Sequence, residues 1–116
     1  MASFLIVDED RNFREALIIA LRLDGHDTLG SASADDARAR LAGAPFTCCV
    51  VDAHLAGAEG LLRAVIASGA RAVATGPYTE LLRAAAGRHP GVETLTKPFR
   101  AADLAQLVVD PARATG

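Results

Sequence analysis

Short apolar runs recur along the chain, and most lack the alternation of a half-exposed strand. Runs of this kind are typical of strands covered on both faces of a sheet. The clearest two each end at an acidic residue, and the weakest is a Thr-Leu-Gly stretch. The pattern predicts five strands, over 3–7, 28–30, 46–51, 70–75 and 92–96.

Between these runs the apolar residues follow the period of 3.6 that marks one face of a helix. The clearest helix spans 11–23, with an inward face predicted to be Phe13, Ala16, Leu17, Ala20 and Leu21. Ser33 and Asp36 form an N-terminal capping pattern for the second helix. The other helices are predicted from the apolar positions of 34–42, 61–66, 81–86 and 101–108, with Gly43 and Gly87 just past two of the ends.

Strand and helix thus alternate five times with short connections. Helical crossovers between buried strands predict a right-handed, doubly wound parallel sheet of the α/β class. Ligands of such sheets bind outside the carboxyl ends of the strands. The length of 116 residues fits one domain over 1–116, with a core of about 3–109 and a tail at 110–116.

Composition narrows the class of protein. Hydrophobic residues make up 51% of the chain, enough for a buried core. A formal net charge of −2 gives no electrostatic reason to expect nucleic-acid or anionic-membrane binding. The two cysteines, Cys48 and Cys49, are adjacent in an apolar run, which favours a reducing, cytoplasmic compartment over a disulfide framework. No apolar segment is long enough for a membrane span.

Polar side chains collect where the predicted strands end. Asp8, Glu9 and Asp10 follow the first strand, Asp52 the third, Thr75 the fourth and Lys97 the fifth. Each alone could simply cap a helix or solvate a loop. Lys97 is the single lysine beside 11 arginines, which indicates that an ammonium in particular is needed there.

The chemistry of this set fits phosphoryl transfer. Clustered carboxylates repel unless a cation lies between them, and carboxylate and water oxygens suit Mg²⁺. A carboxylate can act as a nucleophile on phosphorus, while an ammonium and a hydroxyl neutralise and bond phosphoryl oxygens. The sequence therefore predicts a magnesium-dependent phosphoryl site at this edge.

Four motifs in order, FLIVDED, VVDAHLAGAEG, AVATG and LTKPF, resemble the response-regulator receiver (CheY-like) family of two-component signalling. The resemblance covers 3–109. It implies a flavodoxin-like fold with five helices around a five-stranded sheet in the order 2-1-3-4-5.

The resemblance also implies roles for individual residues. Asp52 corresponds to the phosphoacceptor, Thr75 to the switch hydroxyl and Lys97 to the lysine that contacts the phosphoryl group. Asp8, Glu9 and Asp52, with the backbone carbonyl of His54, correspond to the Mg²⁺ ligands. A cis peptide before Pro98 is also implied.

The implied function is a phosphorylation switch in the cytoplasm. A sensor histidine kinase or phosphotransfer protein would phosphorylate Asp52, and the change would reach a downstream protein or output domain. The last helix–strand–helix face could also form a homodimer. The domain would promote only its own phosphorylation and dephosphorylation, and would not bind nucleic acid or membranes directly.

Several positions depart from the family pattern. Thr94 stands where the family has an aromatic switch residue, Ala56 where it commonly has proline, and the interval from Asp52 to Thr75 is short. These departures leave open a degenerate receiver that binds a partner without phosphorylation. A haloacid-dehalogenase-type phosphatase would need a second Asp where His54 stands. A nucleotide-binding module would need a glycine-rich phosphate loop after the first strand.

Overall fold

The computed structural model describes residues 2–109, with the backbone alone for Val109. The predicted tail, 110–116, lies outside the described residues. Strands and helices alternate as predicted: β1 Ser3–Val7, α1 Arg11–Leu23, β2 Asp27–Ser31, α2 Ala34–Gly43, β3 Cys48–Asp52, α3 Ala58–Ala67, β4 Arg71–Gly76, α4 Thr79–Arg88, β5 Val92–Thr96 and α5 Ala101–Val109.

The five strands form one parallel sheet in the order β2-β1-β3-β4-β5, which confirms the predicted fold class and topology. Strand β1 lies inside the sheet, β2 is added on one side of it, and β3, β4 and β5 are added in turn on the other side. The carboxyl ends of β1 and β3 therefore flank the topological switch point, where a doubly wound fold forms a crevice for ligands.

Each face of the sheet carries its own hydrophobic core. On one face α1 and α5 cover the sheet, and on the other α2, α3 and α4 do so. Alternate residues of one strand enter opposite cores, as Phe4 and Leu5 do. This two-sided burial is the reason that residues 4–7 of β1 and 48–51 of β3 are all apolar rather than alternating. Cys48 and Cys49 are both free thiols, fully buried in the two cores.

Element boundaries differ from the predictions mainly at glycines. Gly43 lies within α2 and Gly87 within α4, although both were expected to stand beyond a helix end. A glycine ends a helix when the chain needs a left-handed residue there, and the left-handed glycines are instead Gly25, Gly57, Gly69 and Gly91. Strand β3 begins at Cys48 rather than at residue 46.

Two helix faces are also rotated from the prediction. In α1 the buried residues are Leu17, Ile18 and Leu21, while Ala16 is exposed. In α4 Leu81 is 51% exposed and Leu82 is buried. In α1 the larger Ile18 takes the buried place expected for Ala16, because a larger apolar side chain gains more by burial. Within residues 2–109, the helices are too short or too polar to span a bilayer.

Candidate functional site

The strand register brings the predicted residues to one edge of the sheet. Val7 pairs with Val51 across β1 and β3, so the next residues, Asp8 and Asp52, stand side by side. Asp52 in turn pairs with Thr75 on β4. Lys97 follows the end of β5, and its backbone N–H donates to the carbonyl of Gly76 at 2.8 Å. The four residues therefore stand at the carboxyl ends of four neighbouring strands.

Asp8 is 1% exposed and is held by a dense set of contacts. Its Oδ2 accepts a hydrogen bond from Lys97 Nζ at 2.8 Å, and its Oδ1 accepts one from the backbone N–H of Asp10 at 2.9 Å. The carbonyl of Asp8 accepts from Arg14 Nη1 at 2.7 Å. The pair of Asp8 and Lys97 joins residues 89 positions apart and neutralises a carboxylate that could not be buried alone. The sequence placed both residues at this edge but gave no signal for their direct pairing, or for Arg14.

Asp52 ends β3 and is 8% exposed. Its Oδ1 accepts a hydrogen bond from the backbone N–H of His54 at 3.0 Å, a short side-chain turn that restrains the carboxylate. The loop then enters α3 through Gly57, whose φ of +81° a side chain would strain. A Cβ there would also lie 3.1 Å from the Cβ of Ala34. The turn thus fixes the path of the loop beside Asp52.

Thr75 is 1% exposed, and its Oγ1 has no hydrogen-bond partner. It is the one buried side-chain oxygen or nitrogen in this condition within residues 2–109. Buried hydroxyls are normally paired, because an unpaired one keeps the cost of losing its water. The unpaired hydroxyl stands directly across from Asp52 in the register, so a ligand bound at Asp52 could supply the missing partner.

No family model and no curated protein matches the chain, but many solved structures share its fold. A response regulator of Burkholderia pseudomallei superposes with a TM-score of 0.82 at 17% identity, over 99% of this chain and 71% of that one. The chemotaxis response regulator CheY4 of Vibrio cholerae gives 0.81 at 19%, over 98% of each chain. NtrX of Brucella abortus gives 0.80 at 25%, over 97% of this chain and 26% of that one. The fold is that of a receiver domain.

At the site of this receiver fold, the lysine has a defined environment. Lys97 Nζ lies 4.3 Å from the ring centroid of Phe13, in addition to its contact with Asp8. The Lys97–Pro98 peptide bond is cis, as the family resemblance implied. The ammonium therefore stays at the sheet edge between a carboxylate and an aromatic face.

The remaining predicted metal ligands are less closely gathered. Glu9 is exposed, and so is the side chain of His54, whose ring stands edge-on to that of Tyr78 at 6.2 Å. No group of three or more His, Cys, Asp or Glu side chains within 2–109 is arranged to hold a metal ion. The donor chemistry nevertheless fits Mg²⁺, because two buried carboxylates stand side by side with a third on the adjoining loop.

A second polar cluster, which joins α3 to the end of α4, was not predicted from the sequence. Glu59 of α3 accepts hydrogen bonds from Arg88 Nε at 2.8 Å and, because a carboxylate only accepts, from His89 Nε2 at 2.6 Å. We call these three residues the α3–α4 clasp. Hydrogen bonds from Arg88 and then His89 hold the pKa of Glu59 below its ordinary value. Thirty positions separate Glu59 from His89, so no local pattern could reveal the pair.

Proposed function

We propose that the chain is a phosphoacceptor receiver domain of a two-component response regulator, phosphorylated on Asp52. The observation that carries the proposal is the unpaired hydroxyl of Thr75, buried beside the Asp52 carboxylate. A phosphoryl group on Asp52 would bring oxygens that this hydroxyl can donate to. The Lys97 ammonium, paired with the neighbouring Asp8, supplies positive charge at the same edge.

The transfer would proceed by attack of an Asp52 carboxylate oxygen on phosphorus. A new oxygen–phosphorus bond forms, the bond from phosphorus to the donor's nitrogen or oxygen breaks, and its electron pair leaves with the donor. Catalysis of this kind consists mainly of positioning and charge neutralisation. Lys97 would neutralise one phosphoryl oxygen, and Thr75 would donate a hydrogen bond to another.

Asp8, Glu9 and Asp52, with the carbonyl of His54, would hold Mg²⁺. The ion would supply positive charge to the phosphoryl oxygens when bound. The Burkholderia pseudomallei protein contains a phosphorylated aspartic acid and a calcium ion, which supports the use of an aspartyl phosphate and a divalent cation by this chain.

We further propose that the partners are a sensor histidine kinase or phosphotransfer protein and a downstream protein or output domain, in the cytoplasm. The face formed by α4, β5 and α5 would carry the signal or form a homodimer. Tyr78 and Leu81, 62% and 51% exposed at the start of α4, lie instead on the side of that helix that faces α3 and the loop after β3, so they would not belong to this face. The domain would catalyse no reaction beyond gain and loss of its own phosphoryl group.

The second candidate function is a receiver that binds a partner without being phosphorylated. Two observations favour it: the exposed Glu9, and Thr94 on β5 in place of the family's aromatic residue. The buried and paired Asp8, together with the unpaired Thr75 hydroxyl, favours the phosphoacceptor instead, because a site without phosphate has no use for a buried hydroxyl that lacks a partner.

The deciding experiment is incubation with Mg²⁺ and acetyl phosphate, followed by intact mass spectrometry. We expect the wild-type protein to gain the mass of one phosphoryl group. Asp52→Asn should gain none, whereas the control Asp35→Asn, which changes an exposed carboxylate of α2, should behave as wild type. A chelator arm tests the need for the metal. A wild-type protein that never gains mass would contradict the phosphoacceptor proposal and favour the second candidate function.

A further inference from the structure

We propose that Phe13 is a positioning residue for Lys97, holding its ammonium at the phosphoryl site through the face of its ring. The inference rests on the proposed function for its consequence, but the contact itself can be tested separately. Phe13 lies in the first turn of α1, and Lys97 follows β5. Nothing in the sequence spacing pairs these two residues. The structure brings Lys97 Nζ to 4.3 Å from the ring centroid of Phe13.

The Phe13 ring is itself held in place. The ring of Phe99 stands edge-on to it, with centroids 5.6 Å apart and an interplanar angle of 74°. Both rings pack against the core under α1 and α5. The backbone N–H of Phe13 donates to the side chain of Asp10, the N-cap of α1, at 3.2 Å. Its bonded backbone and its contact with Phe99 thus hold the Phe13 ring in place near the ammonium.

The contact acts on the freedom of the lysine side chain. A lysine side chain is a flexible four-carbon stem that carries a compact ammonium, so it adopts many conformations unless other groups restrain it. Asp8 Oδ2 holds one side of the ammonium at 2.8 Å, and the negative face of the Phe13 ring attracts it from another. The Lys97 side chain remains 21% exposed, so without the ring its swing toward solvent would be open.

Phosphoryl transfer depends strongly on such positioning. When phosphate arrives at Asp52, an ammonium already at the edge need only turn from Asp8 to a phosphoryl oxygen. A leucine at position 13 would still pack against the core but would not attract the charge. The chemistry of the ring, rather than its volume, is therefore the property that the proposal requires.

The single lysine of the chain allows a direct test of the contact. Isotopic labelling of lysine gives NMR signals from Lys97 alone. In the unphosphorylated wild type, we expect the ε-methylene protons to be shifted upfield by the ring current of Phe13. Phe13→Leu should lose this shift, and Phe13→Tyr should retain it. The matched control is Phe46→Leu, which alters a half-buried phenylalanine of the opposite core. An unchanged Lys97 signal in Phe13→Leu would overturn the proposal.

The consequence is tested by the rate of phosphorylation with acetyl phosphate and Mg²⁺. A partly exposed contact of this type corresponds to about a fivefold loss of rate in Phe13→Leu. Phe13→Tyr should restore the rate to within about twofold of wild type, and Phe46→Leu should keep it. Equal slowing in Phe13→Leu and Phe13→Tyr would show a merely structural role and overturn the proposal.

The two readouts separate the possible failures. If the wild type takes up no phosphate, the proposed function fails, while the NMR shift still decides whether Phe13 holds Lys97. If Phe13→Leu does not fold, as judged by circular dichroism, Phe13→Met provides the same loss of the aromatic face with a more adaptable side chain. The same comparison with Phe13→Tyr then applies.

Discussion

Replacing Thr75 by valine should make the unphosphorylated protein more stable. The change exchanges the unpaired, buried Oγ1 for a methyl group of nearly the same size and keeps the β-branched shape that suits β4. An unpaired buried hydroxyl costs about 1–3 kcal/mol. We therefore expect the free energy of unfolding to rise by about 1–2 kcal/mol, the lower part of that range.

The size of the chain converts this energy into a melting temperature. At about 2.1 cal/mol/K for each residue, the unfolding entropy of 116 residues is roughly 0.24 kcal/mol/K. Each kcal/mol then shifts Tm by about 4 °C, so Thr75→Val should melt about 4–8 °C higher than wild type. Differential scanning calorimetry or circular dichroism measures the shift.

Thr28 supplies the matched control, because it is also a buried strand threonine, 4% exposed, but its hydroxyl is paired. Its Oγ1 donates to the carbonyl of His26 at 3.3 Å. The free energy of unfolding of Thr28→Val should be about 1 kcal/mol lower than that of wild type, and its Tm about 4 °C lower. Addition of Mg²⁺ and beryllium fluoride, a phosphoryl analogue, should stabilise wild type more than Thr75→Val. The reasoning is refuted if Thr75→Val melts at or below the wild-type temperature while Thr28→Val falls as expected.

Two further predictions concern groups away from the edge. Glu59→Gln, in the α3–α4 clasp, should lower the urea midpoint at pH 7. Hydrogen bonds from Arg88 and His89 hold the pKa of Glu59 below its ordinary value of 4.5, so this stabilisation is complete above pH 4.5 and the difference in midpoint from wild type should close as pH falls below it. The control Glu15→Gln, which changes an exposed carboxylate of α1 outside the clasp, should leave the midpoint at pH 7 unchanged. Burial raises the pKa of the Cys48 thiol and raises that of Cys49 to about 12. Both thiols should therefore resist a disulfide reagent at pH 8 until urea unfolds the protein and exposes them. Rapid modification of the native protein would contradict their burial.

Much of the fold could be read from local pattern. Residues buried on both faces must be apolar at every position, so β1 and β3 stand out in the sequence. The weak candidate at 28–30 is also a strand, Asp27–Ser31, because pairing with β1 along its whole length extends it. The inward face of α1 was predicted less well. Ile18 rather than Ala16 enters the core, since a larger side chain gains more by burial.

The candidate site divides in the same way. Strand ends are local features, so the positions of Asp8, Asp52, Thr75 and Lys97 at one edge could be predicted from the order of strands and helices. The partners of these residues could not. Which atom an ammonium contacts depends on approach in space, and Lys97 meets a carboxylate 89 residues away.

The sequence by itself thus determined the succession of elements, the two-sided core and the residues available for chemistry at the sheet edge. All three follow from the periodicity of apolar residues and from the turns that end each strand, because both are local features that extend over only a few residues. Only the tertiary structure decided that Lys97 lies between Asp8 and Phe13, that the hydroxyl of Thr75 has no partner, and that Glu59 joins α3 to α4. Such contacts depend on distances across the folded chain, for which a one-dimensional pattern carries no signal.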